Sequence, residues 1–164
     1  MSSSGYAGPM TETQPRWLDP AEDRAWRGYR RMFLRLNAQL ARDLATGAGL
    51  SEPDYDVLST LSEAEGHRER ITTLATRMLW SQSRLSHHIA RMESRGLVTR
   101  DEVVSDGRGS VVGLSDKGLQ TLEAAAPGHV AAVRAHLIDR LTPDQIAVLG
   151  DIAEIVVNGL NERL

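Results

Sequence analysis

The sequence predicts a mainly α fold carrying one small β-hairpin, and three observations lead to it. Apolar residues recur at spacings of three and four through most of the chain, helix-capping signals punctuate those stretches, and one short central region switches to β-branched runs. A chain of 164 residues with 41% hydrophobic and 25% charged residues is long enough for a single domain, or a domain with an appended subdomain, around a real core.

Residues 1–18 are small, polar and Pro/Gly-bearing, and are expected to form a disordered tail without signal-peptide character. Asp19-Pro20-Ala21-Glu22 then supplies an N-cap, a proline at the first helical position and a reciprocal glutamate. The helix that follows carries Trp26, Tyr29, Phe33, Leu36, Leu40 and Leu44 as one stripe, and "TGAGLS" ends it. Ser51, with Pro53 just inside, opens a second helix bearing Tyr55, Leu58 and Leu61, and "EGHRER" breaks it. A short helix, "ITTLATRML", comes next; Ser81 caps a fourth, which Gly96 stops. "LVTRDEVV" and "SVVGL", separated by "SDGRG", form the hairpin. Ser115 caps a long helix running to about Leu141, with Pro127 and Gly128 expected to kink or interrupt it. Thr142-Pro143-Asp144-Gln145 is a further capping box opening the last helix.

Composition removes several kinds of chemistry. With zero cysteines there is no disulfide, thiolate nucleophile or Cys-ligated metal. No Gly-rich phosphate loop or G-x-S-x-G elbow is present, so no enzyme, catalytic residue, bound metal or cofactor is expected. No apolar run is long enough for a membrane span, and a cytoplasmic location is the simplest expectation. The net charge of -3 conceals segregation: residues 68–108 hold eight arginines against five acids, between two acidic flanks. Such a basic centre suits a polyanion, although a solvated charged helix would look the same.

The fourth helix decides between those readings. Leu85, Ile89 and Met92 share one face, while Ser83, Ser86, His87 and Ala90 lie opposite with Arg84 and Arg91 on the flanks. A recognition helix needs this division: one face fixed to its own lobe, the other hydrogen-bonding and cationic toward base edges and phosphates. Neighbouring residues point about 100° apart on a helix, so His87 and His88 do not chelate one ion together; His88 turns toward the buried edge. Two short helices, a tight turn and a hairpin outline a winged helix-turn-helix over residues 51–115. Residues 19–50 and 116–164 flank it as helices, and their apolar stripes exceed what one small lobe covers, which predicts a homodimer.

The stretch "SRLSHHIARMESRGLVTRDEVVSDGRGSVVGLSDKG" resembles the core of the multiple antibiotic resistance regulator (MarR) family. The matching motifs are Arg91-Met92-Glu93 with Gly96-Leu97-Val98 and Arg100, Asp106-Gly107-Arg108, and Val112-Gly113-Leu114-Ser115 with Gly118. Ser115 stands where threonine is usual and keeps the cap; Gly109 leaves the wing tip looser. The resemblance implies a dimer whose N- and C-terminal helices intertwine, acting as a ligand-responsive repressor of double-stranded DNA with a palindromic operator. It implies that Ser83, Arg84, Ser86 and His87 read bases, that Arg108 enters the minor groove, and that Asp106 structures the wing. Relatives also sense small aromatic or anionic effectors, for which Trp26, Tyr29, Arg30 and Tyr55 are the candidate pocket, although the same side chains would serve a core. The alternatives are a metal-responsive regulator built from His67, His129 or His136 with carboxylates, and a partner- or ligand-binding module of the same fold without DNA binding.

Overall fold

The computed structural model describes residues 15–102 and 109–161. The chain divides into two compact units, one ending at Leu34 and one beginning at Arg35, and helix α1 (Pro20–Ala48) supplies residues to both. The order continues as α2 (Glu52–Ser62), a 3-10 turn (Glu65–His67), β1 (Arg68–Arg70), α3 (Ile71–Arg77), α4 (Gln82–Ser94), β2 (Val98–Glu102), β3 (Ser110–Leu114), α5 (Asp116–His136), a 3-10 turn (Ile138–Arg140) and α6 (Pro143–Asn161).

The capping signals form as expected. Asp19 accepts from the Ala21 and Glu22 amides while the Glu22 carboxylate accepts from the Asp19 amide. Thr142 and Gln145 make the same reciprocal pair at the start of α6. Ser81 accepts from the Arg84 amide and Ser115 from the Gly118 amide. Gly49 and Gly96 take φ of +65° and +74° after α1 and α4, the left-handed conformation that ends a helix at little cost for glycine.

Three expectations change. The segment "RER" is a strand: β1 pairs antiparallel with β3, so the hairpin is one part of a three-stranded sheet ordered β1-β3-β2. With three charged residues it lacks the apolar alternation by which strands announce themselves. Helix α5 runs unbroken through Pro127 and ends at His136, earlier than expected, and its last segment becomes a 3-10 turn. The third helix stops at Arg77, which leaves Leu79 in the connecting turn at φ +54° and 87% exposed.

The core of the second unit lies between α2, α3, α4, β3 and the start of α5. Val57, Leu58, Leu61, Leu74, Leu85, Ile89, Met92 and Val112 are fully buried there. Each such aliphatic side chain contributes about 1.5–3 kcal/mol by leaving water. The outer helices are different. Helix α6 has no buried residue, and Ile152, Ile155, Val156 and Leu160 are all more than half exposed. In the N-terminal unit Trp26, Tyr29 and Phe33 form an exposed ladder, with ring centroids 5.9 and 6.1 Å apart.

Leu79 carries a direct prediction. A left-handed leucine costs about 1–2 kcal/mol, and its exposed side chain offsets none of that by packing. Glycine removes the strain and returns about 0.5–1 kcal/mol of it as chain entropy. Leu79→Gly is therefore expected to leave urea stability unchanged or raise it by up to about 1 kcal/mol. A clear loss would show that the leucine contributes packing absent from this structure.

Candidate nucleic-acid interface

Helix α4 is anchored by three side chains, Leu85, Ile89 and Met92, each 0% exposed. Their burial leaves Ser83, Arg84, His87, Ala90 and Arg91 in solvent and Ser86 half-buried. The predicted outward face is therefore exposed except at Ser86. Asp106 and Arg108, the predicted wing residues, lie outside the described residues. The base of the wing is well held: Arg100 Nε donates to Ser110 Oγ at 3.1 Å, and Arg68 of β1 pairs with Asp101 of β2.

The helix is fastened at its C-terminal end by a polar cluster that the sequence reading did not identify. Asp54, in the first turn of α2, is 2% exposed. Its Oδ2 accepts from the Ser51 amide at 3.0 Å, completing a capping box, and from Arg95 Nη1 at 3.0 Å; Arg95 Nη2 donates to Oδ1. Burial pushes the Asp54 carboxyl up, but the Arg95 guanidinium and the Ser51 bonds outweigh that and hold it down at about 2. The same pairing raises Arg95 above its ordinary value.

His88 occupies the space between Asp54 and α4. Arg91 Nη2 lies 2.9 Å from His88 Nδ1, and because guanidinium only donates, Nδ1 must accept and the ring proton belongs on Nε2. Nε2 lies 3.0 Å from Asp54 Oδ1 but off the hydrogen-bonding line, so the contact is electrostatic rather than a full hydrogen bond. Burial lowers the His88 pKa, with Asp54 opposing and the flanking arginines assisting. The histidine is a neutral packing residue, as its position at the buried edge implied.

Arginine Arg84 is held differently. Its guanidinium carbon lies 3.9 Å from the centroid of the Trp80 ring, a cation–π stack. Together Trp80, Arg84, His88, Arg91, Arg95 and Asp54 border a cavity of about 760 Å³ beside the recognition helix. Arg95 is paired with Asp54, and the Arg84 and Arg91 guanidiniums leave the hollow with net positive charge.

The other predicted residues are dispersed. Trp26, Tyr29 and Arg30 lie on α1 in the N-terminal unit, with Arg30 5.9 Å from the Trp26 ring. Tyr55 belongs to the second unit, where its ring packs at 4.4 Å on His129 beside a 240 Å³ recess that also touches Asp56. Burial raises both Tyr55 and Asp56 from their ordinary values. Of the histidines considered for metal, His136 Nε2 is 2.8 Å from Asp43 and His67 Nδ1 is 3.0 Å from the Ser62 carbonyl. Among the described residues no three His, Asp or Glu side chains converge on a metal position, and no helix is long and apolar enough to cross a membrane.

Asp54, Trp80 and Arg95 are thus the contributors that sequence reasoning missed. One signal was available, the Ser51-x-x-Asp54 capping spacing; Trp80 lies before the Ser81 N-cap, outside α4, so helical spacing does not announce its contact with Arg84.

An α2–α3–α4 lobe with a sheet-based wing and a cationic, outward-facing third helix defines the winged helix-turn-helix class of DNA-binding modules. Within that class, residues 50–110 match the model of the MarR family. AbsC, a MarR family transcriptional regulator from Streptomyces coelicolor, is 42% identical, with a TM-score of 0.84 over 90% of this chain and 99% of that one. Sco3205, a MarR family regulator from the same organism solved in complex with DNA, is 43% identical with a TM-score of 0.84, covering 89% and 92% of the two chains. The HTH-type transcriptional repressor YetL of Bacillus subtilis (strain 168) is 30% identical over 111 residues, 66% of each chain. The chain belongs to the MarR family of transcriptional regulators.

Proposed function

We propose that the protein is a cytoplasmic, homodimeric repressor that places α4 in the major groove of a palindromic operator and answers to a small ligand. The observation that carries this reading is the outward face of α4. Ser83, Arg84, His87 and Arg91 are exposed and Ser86 is half-buried on a helix whose opposite side is fully buried, so the polar face is rigidly presented to solvent. The DNA complex of Sco3205, at 43% identity, supports transfer of that role to this chain.

Residues 51–115 form the DNA-binding domain in this account. Residues 19–50 and 116–164 form the dimerisation region, and residues 1–18 a polar tail. The exposed aromatic ladder of α1 and the exposed aliphatic face of α6 support pairing with a second copy, since single domains rarely leave such surfaces in water. Two-fold symmetry then sets two recognition helices about 34 Å apart, one turn of duplex. Arg108 enters the minor groove, with Asp106 orienting the wing.

For the effector, the cavity beside α4 has more support than the Trp26, Tyr29, Arg30 and Tyr55 set. It is concave, has one aromatic wall, and is bordered by Arg84, Arg91 and Arg95, which suits a small aromatic anion. A ligand there would compete for arginines that face DNA and shift the protein toward a form with lower operator affinity. Metal-responsive regulation has less support, because among the described residues no three His, Asp or Glu side chains come together around one position.

Selection from randomised duplexes tests the reading. The expected product is an inverted repeat with half-sites about ten base pairs apart, centre to centre. An asymmetric consensus, or none, would contradict it.

A further inference from the structure

Four arginines on or next to α4 have different commitments. Arg91 donates to His88, Arg95 is locked on Asp54, and Arg77 pairs with Glu63 and Glu69. Among the described residues, the Arg84 side chain makes no hydrogen bond or ion pair; its contact is the Trp80 ring at 3.9 Å. The ring is itself fixed. The Trp80 amide donates to the Ala75 carbonyl at 2.9 Å, the indole is half-buried against the core, and the His88 ring meets it edge-on at 5.6 Å and 85°. His88 is held in turn by Arg91 and Asp54.

We propose that Trp80 is a positioning residue for Arg84, setting base specificity without itself touching DNA. A stacked guanidinium spends its flat face on the ring and keeps its five N–H donors free in the plane, the arrangement that bidentate recognition of guanine requires. The stack also removes rotamer freedom from Arg84 before DNA arrives, so less is lost on docking. Specificity therefore extends to a residue in the turn before the recognition helix. This rests on the assignment of Arg84 to base reading.

The test uses the full-length protein and the duplex selected above, with binding followed by fluorescence anisotropy on the parent sequence and on each single-base variant. Trp80→Leu is expected to weaken parent binding about two- to fivefold and to flatten preference at the same bases that Arg84→Ala flattens. Trp80→Phe, which keeps a ring, should recover most of the loss. In an Arg84→Ala background Trp80→Leu should change nothing further, because the two substitutions remove one interaction. Thermal unfolding of each variant separates loss of fold from loss of positioning. The proposal is overturned if Trp80→Leu has the same effect with and without Arg84, or if it weakens all duplexes equally. If Arg84→Ala binds like the parent, the base-reading assignment fails and the proposal fails with it. Additive losses sink the positioning role alone.

Discussion

Replacing Gly118 with alanine is expected to destabilise the fold by about 3 kcal/mol, at the upper end of the usual cost of overpacking. An alanine Cβ there would sit 1.9 Å from the Leu97 carbonyl oxygen and 2.9 Å from its carbon. Both are backbone atoms, so no rotamer change relieves the clash; the first turn of α5 must move away from β2. The junction is tightly stitched. The Ser115 hydroxyl donates to the Gly96 carbonyl at 2.6 Å, its amide to Leu97 at 3.3 Å, and Lys117 Nζ donates to the Arg95 carbonyl at 2.7 Å. These bonds join the C-terminal end of the recognition helix to the first turn of the long helix that leads to α6. Gly118→Ala should therefore lower the urea midpoint and weaken DNA binding together. A variant within about 0.5 kcal/mol of the parent, the range of ordinary surface changes, would show that the close approach is not present.

The second large effect is at Asp54. Its carboxyl is held at about 2 in the folded protein against about 3.9 in an unfolded chain, a difference of roughly 2–3 kcal/mol at neutral pH. Because the folded value is depressed, this stability is complete above about pH 4 and disappears as pH falls toward 2. His88 acts in the same direction at higher pH. Burial lowers its pKa below 6.5, so its contribution is complete above that value and is lost as acid forces a proton onto the ring. Protonation would place a hydrogen on Nδ1 against the Arg91 donor. Asp56 opposes both, since burial raises its pKa and folding then favours the protonated acid. Asp54→Asn should cost about 2 kcal/mol in urea unfolding at pH 7, and the gap from the parent should close as pH drops from 4 toward 2. A gap that stays constant with pH would mean that the carboxylate charge does not carry the effect. Loss of the tether should also loosen α4 and reduce operator affinity.

Much of this architecture is legible in the sequence because its cues are local. Capping pairs three residues apart, apolar stripes at helical spacing and the Gly96 stop depend on neighbours along the chain. The anchored face of α4 follows from Leu85, Ile89 and Met92 by spacing alone. Features made by distant residues are not legible in this way. β1 is a strand because β3 offers it an edge, and nothing in Arg-Glu-Arg announces that. The bond between Asp54 and Arg95 spans 41 residues, and only the tertiary packing of α2 against α4 brings them together. The end of α5 at His136 also escapes periodicity, since the apolar pattern continues through Leu137 and Ile138 while the backbone turns.

Operator recognition rests on the solvent-facing side of α4 meeting duplex DNA. Anisotropy titrations of the parent and of Arg84→Ala on a labelled operator, across a series of salt concentrations, measure this directly. The expected result is tight binding that weakens steeply and linearly on a log–log plot, reflecting counterions released from phosphates. Arg84→Ala should lose about 1–3 kcal/mol on the operator and relax its base preference. Purified dimer that ignores duplex DNA at low ionic strength, or an Arg84→Ala protein that matches the parent at every salt concentration, would contradict the account.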